Sequence, residues 1–199
     1  MNTVEKYLLG LKKAYLDNNA KEAWEHFEKI KHGATKDDIE KLKNVYPDIP
    51  DELISLLEYV DGTYWREYAG EKIILYFLGS DVEEYPYYLL SSKEMMENEN
   101  IAVKYYSDYI ERKYEVAMDE KITNKIVSLK WLHFSDCMNN GGTSQLFIDF
   151  SPSEKGKKGQ VVRFLHDPDE FCVITDSFED YLKMLMDSEY DFIHEDEDV

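Results

Sequence analysis

His133, Asp136 and Cys137 stand within five positions of one another, and together they could supply a base, its orienting carboxylate and a thiol nucleophile. Such a thiol reacts only when a partner in space lowers its pKa. Neighbours on an extended segment point to alternate faces, so the spacing works against that geometry. His133 reads instead as packing beside Trp131 or lining a groove. His166-Asp167-Pro168-Asp169-Glu170 gathers oxygen and imidazole donors. It lacks the glycine and spaced ligands of a calcium loop, and Asp167-Pro168-Asp169 reads more simply as a hairpin turn. Gly141-Gly142 could cradle a phosphate, but no Gly-x-x-x-x-Gly-Lys run exists and the pair better supplies positive φ in a turn. Lys155, Lys157 and Lys158 form a small basic loop on an acidic chain, which is no nucleic-acid footprint. The sequence therefore predicts no catalytic residue, no metal and no cofactor.

The better contact candidates are aromatic. Tyrosine occurs 16 times, and Tyr85-Pro86-Tyr87-Tyr88 and Tyr105-Tyr106 to Tyr109 concentrate it. Core packing is the favoured reading for Tyr105 and Tyr109. If Trp65, Tyr87 or Tyr88 is exposed, it is expected to anchor a partner.

Those residues need elements to hold them. Residues 3–31 read as helix interrupted at Asp17-Asn18-Asn19, with Val4, Tyr7, Leu8, Leu11, Tyr15 and Leu16 making one apolar stripe. Thr35 can cap a helix that continues through Ile39, Leu42 and Val45. Pro50 suits the start of the next, which ends at Asp61-Gly62. Ile73 to Leu78 is a continuous apolar run of strand length. Residues 92–120 read as helix in two pieces. Strands are expected at 127–134, 144–150, 160–166 and 170–175, and a closing helix over 177–186. Helices, then strands, then a helix predict an α+β fold: one mostly antiparallel or mixed sheet with helices packed on one face.

The chain has 199 residues, enough for one domain with extensions. Its formal net charge is −19, which disfavours nucleic acid and anionic membranes and favours fast encounter with a basic partner. A solvated acidic surface with no partner-directed role explains the charge equally well. Cys137 and Cys172 read as free thiols. No signal peptide and no apolar run of about 20 residues is evident, so the protein is expected in the cytoplasm.

At this point the sequence resembles the SUKH superfamily, which includes the Smi/Knr-type regulators of yeast cell-wall assembly and bacterial immunity proteins. The resemblance rests on Ile49-Pro50-Asp51-Glu52, Asp61-Gly62, Trp131-Leu132-His133-Phe134, Asn140-Gly141-Gly142 and Phe147-Ile148-Asp149. Gly159-Gln160-Val161-Val162 looks like the yeast-type branch, and Ser177-Phe178-Glu179-Asp180-Tyr181-Leu182 resembles the closing helix. His133 stands where proline is common, Thr143 where Asp is usual, and Asp61 where Asn is usual. The expected organisation is a helical extension over 1–32, a SUKH-like domain over 33–186 with an insertion near 80–125, and an acidic tail over 187–199.

The resemblance implies a protein-binding module without catalytic residues. An immunity protein that neutralises a toxin, such as a nuclease with a basic cleft, is the first reading. A regulatory scaffold of cell-wall type is the second, and an enzyme the third. The partner-binding residues expected are Asp61, Trp65, Asp136, Asn140 and Asp149, near the glycine-turn end of the sheet. The oligomeric state stays open.

Overall fold

A computed structural model of the chain describes residues 1–83, 85–137 and 144–194. Helix α1 (Thr3–Asp17) begins at a capping box in which Asn2 and Glu5 bond reciprocally. Its buried face is Val4, Tyr7, Leu11, Ala14 and Tyr15, whereas Leu16 is exposed. Helix α2 (Lys21–Ile30) buries Trp24 and Phe27. Helix α3 (Lys36–Val45) is capped by Thr35, whose hydroxyl accepts from the Asp38 N–H at 3.2 Å. Pro50 occupies the cap of α4 (Asp51–Tyr59).

Strands β1 (Tyr64–Tyr68) and β2 (Glu71–Ile74) form a separate antiparallel hairpin. The expected strand through Leu78 stops early: the Leu75 N–H turns to the Thr63 carbonyl, and Phe77 and Leu78 bond to Tyr87. Strand β3 (Tyr87–Leu89) leads into α5 (Ser92–Glu97) and α6 (Ile101–Ile110). Residues 111–120 are not helical, because Arg112 takes a φ of +60° and Ala117–Met118 form strand β4.

Strands β5 (Trp131–Cys137), β6 (Gln145–Asp149), β7 (Gln160–Leu165) and β8 (Glu170–Thr175) make the body of a six-stranded sheet ordered β3-β5-β6-β7-β8-β4. All pairings are antiparallel except β4 with β8. The segment 127–130 lies outside the sheet, since Ile126–Ser128 form a 3-10 turn. The turn 166–169 joins β7 to β8, as the Asp-Pro-Asp sequence implied.

Alternation along the strands gives the sheet two apolar faces. Leu132, Phe134, Leu146, Ile148 and Val161 pack with α1, α4 and α7 (Phe178–Asp187). Trp131, Phe147, Val162, Phe164 and Phe171 form a second cluster, closed by Ala102 and Ile110 of α6. The fold is α+β, with most helices on one face and α6 closing the other.

The extension and the segment 188–193 are integral to the first cluster. Tyr7 donates to the Phe77 carbonyl at 2.6 Å. Beyond α7 the chain turns back, and Tyr190, Phe192 and Ile193 are buried. The acidic composition does not keep Ser188 to Ile193 from packing, because its aromatic and aliphatic side chains have a place to go. Tyr190 donates to the Tyr7 carbonyl at 2.9 Å, over Gly10. A Cβ on Gly10 would run into the Tyr190 phenol, and one on Gly79 into the Phe192 ring.

Candidate functional site

Asp61 ends the segment after α4, and its carboxylate does two jobs. Oδ1 accepts from the Ser92 N–H at 2.7 Å, and Oδ2 from Arg66 Nη2 at 2.9 Å. It therefore locks the start of α5 to strand β1. Asp61 is 3% exposed, so it acts beneath the surface and a partner would meet Arg66 in its place.

Between Asp61 and Arg66 the hairpin bulges. The register slips from Tyr64↔Ile74 to Arg66↔Ile73, leaving Trp65 as the extra residue. Bulges re-aim a side chain, and this one aims Trp65 outward: it is 53% exposed, with φ at +49°. A bulky residue in that region is strained by an amount on the order of 1–3 kcal/mol, which surrounding structure must offset. The Lys72 ammonium lies 5.1 Å from the Trp65 ring centroid.

Trp65 and Tyr64 line one wall of an open groove of about 370 Å³. Glu67 continues that wall, and Lys93, Glu94 and Glu97 of α5 form the other. Glu94 is held by its capping box with Ser91, and Glu97 pairs with Lys93 at 3.7 Å. Glu67 is exposed and has no ion-pair or hydrogen-bond partner among the described residues.

Tyr64 stacks on Tyr88 of β3, with centroids 4.1 Å apart. The Tyr88 hydroxyl donates to Asp136 Oδ2 at 3.2 Å. Asp136 Oδ1 accepts from His133 Nε2 and from Gln145 Nε2, each at 2.8 Å. His133 Nδ1 faces the Asn98 amide at 3.1 Å, and Tyr106 donates to Gln145 Oε1 at 2.6 Å. Every partner is a structural side chain, and the imidazole is completely buried. With Nδ1 accepting from Asn98, Nε2 carries the proton given to Asp136. This network orders the end of β5 and leaves Asp136 partly exposed at its rim. The Cys137 side chain belongs to the opposite apolar cluster, so it does not share a site with His133.

Asp149 lies at the other end of β6 and is 0% exposed. Its carboxylate accepts from the Ser151 N–H at 2.7 Å and Gln160 Nε2 at 2.9 Å. Burial pushes its pKa up to about 6, against the hydrogen bonds from Ser151 and Gln160 that favour the charged form. A partner on the Trp65 surface would not reach it, so its role in this structure is to hold the β6–β7 turn.

Of the five expected contact residues, the structure joins Trp65 and Asp136 through Tyr64 and Tyr88, with Asp61 beneath. Asn140, with Gly141, Gly142 and Thr143, lies outside the described residues. Tyr64, Arg66, Glu67 and the α5 acids were not singled out from sequence. A Trp-Arg pair after Asp-Gly was their only signal. Tyr87 and Tyr88 are buried, and Tyr105 is exposed on α6 where core packing was expected. His166 bonds to Asp169 at 2.9 Å, and no metal-ligating group of three acidic, His or Cys side chains occurs among the described residues.

The sheet and its helical cover define an α+β fold. The family model for the SMI1 / KNR4 family (SUKH-1) matches residues 33–184, and the chain belongs to that family. A search of curated proteins finds no match. No helix among the described residues is long and apolar enough to cross a membrane.

Proposed function

We propose that this is a non-catalytic protein-binding module whose acidic surface docks a basic protein partner. In the reading favoured here it is a cytoplasmic immunity protein that occludes a cognate toxin domain. The observation that carries the proposal is Trp65, held outward by a strained bulge beside Glu67, whose carboxylate has no partner among the described residues. Exposed tryptophans at a groove are typical anchors of protein interfaces. A net charge of −19 speeds encounter with a basic cleft and repels nucleic acid. Family membership supports protein binding in general. The buried, fully engaged His133–Asp136 pair supports a non-catalytic role.

The test is direct binding to a basic domain encoded beside this gene, with cell survival on co-expression. Micromolar or tighter binding whose on-rate falls with salt is the expected result. Absence of any such neighbour, or no binding to it, would refute the immunity reading. A regulatory scaffold of cell-wall type is the second reading. The yeast-like Gly159-Gln160-Val161-Val162 strand favours it, and it needs no toxin neighbour.

A further inference from the structure

We infer that the groove between β1 and α5 takes an arginine side chain presented by the partner. The inference rests on the docking reading above and names the chemistry of its anchor.

Charge decides the sign of the guest. Arg66 is taken up by Asp61, so three carboxylates, of Glu67, Glu94 and Glu97, outnumber two ammoniums, of Lys93 in the wall and of Lys72 over the Trp65 ring. The groove therefore favours a cation. An acidic peptide is repelled by the same walls, and a second copy of the chain, also at −19, is repelled by the whole surface.

The Trp65 ring decides which cation. Its face already attracts one, since Lys72 approaches it at 5.1 Å. A guanidinium is planar and more weakly hydrated than an ammonium, and it can stack on indole while its N–H fork reaches a carboxylate. Glu67 supplies that carboxylate two residues along the same hairpin, with no partner of its own among the described residues. The bulge explains why the indole is available: regular pairing would carry Trp65 within the hairpin ladder instead of as its extra residue.

The experiment uses the full chain labelled with nitrogen-15 and three probe peptides: acetyl-Gly-Arg-Gly-Arg-Gly-amide and its Lys and Glu counterparts. The chain has three tryptophans, and Trp24 and Trp131 are buried. A Trp65→Phe variant assigns the Trp65 indole signal. The arginine peptide is expected to shift that signal and the Glu67 and Lys93–Glu97 amides saturably in the millimolar range. The lysine peptide should bind at least about threefold more weakly, and the glutamate peptide not at all. A Glu67→Gln/Glu97→Gln variant, changed only on the surface, should weaken the arginine peptide about fivefold or more. No saturable shift at Trp65, or equal binding of the arginine and lysine peptides, would overturn the inference. If the groove fails while a basic partner still binds, this inference alone falls. If it holds and no toxin-like partner exists, only the immunity reading falls.

Discussion

Tyr64 lies nearly parallel to Tyr88, 4.1 Å away and inclined by 20°, and this stack joins the two-stranded hairpin to the edge of the main sheet. Tyr88 passes the connection on to Asp136 through its hydroxyl. The outward-facing Trp65 is thus mounted on a rigid support. Preorganisation of this kind lowers the entropy cost of docking.

Substitution of Trp65 should separate binding from stability. Glycine tolerates a φ of +49° without strain, so Trp65→Gly should fold with unchanged or slightly raised stability. Partner affinity should nonetheless fall by about tenfold or more, the loss of an anchor worth about 2 kcal/mol. Thermal unfolding and calorimetric titration measure the two effects. A large drop in melting temperature would show that the indole supports the fold.

Asp149 makes stability depend on pH. Its folded pKa is raised from 3.8 to about 6, so the folded state holds that proton more tightly than the unfolded chain does. The stabilisation is fully present below about pH 4 and is lost as pH rises through 6. Asp149→Asn removes the titration. The stability of the variant relative to the native protein should rise by up to about 3 kcal/mol between pH 4 and 7. Urea unfolding across that range checks it, and a constant difference would contradict it.

Arg163 is 4% exposed on β7 and pairs with Asp81 at 2.5 and 3.0 Å and with Glu170 at 2.9 Å. Arg163→Ala leaves a void and two carboxylates facing each other, for a loss of about 3 kcal/mol. Arg163→Met fills the space but leaves the same two carboxylates without their cation, so it should recover only the void's share of that loss. Equal losses in chemical denaturation would assign the whole effect to charge.

The returning segment after α7 should be part of the cooperative unit. Phe192→Ala is expected to cost about 3 kcal/mol and to lower a single unfolding transition. Tyr190→Phe, which removes only the bond to the Tyr7 carbonyl, should cost about 1 kcal/mol. An unchanged midpoint for Phe192→Ala would return this segment to the status of a loose tail.

Much of the fold was legible because local chemistry and tertiary packing agree. Thr35 and Pro50 mark real helix starts, and the strands from Gln145 to Thr175 follow their apolar alternation closely. Legibility failed where long-range contacts decide. Ile73 to Leu78 has the composition of one strand, yet Thr63 and Tyr87 each claim part of its backbone. Tyr190, Phe192 and Ile193 were hidden by the surrounding acids, since composition does not show that Gly10 leaves room for Tyr190 and Gly79 for Phe192. Within the candidate site, Trp65 and Asp136 could be picked by residue type. The inward turn of Asp61 and Asp149 could not, because an aspartate beside a turn reads the same whichever face it takes. Glu67 and the α5 acids come together only when Asp61 fastens the hairpin to the helix.

The most direct test of docking through the Trp65 face is quantitative co-purification from a lysate of the native cells. The native protein and a Trp65→Ala/Glu67→Lys variant would serve as parallel baits. A basic protein should be retained near one-to-one by the native bait, released by salt, and lost from the variant. Equal retention by both baits, or a partner that is not basic, would contradict it.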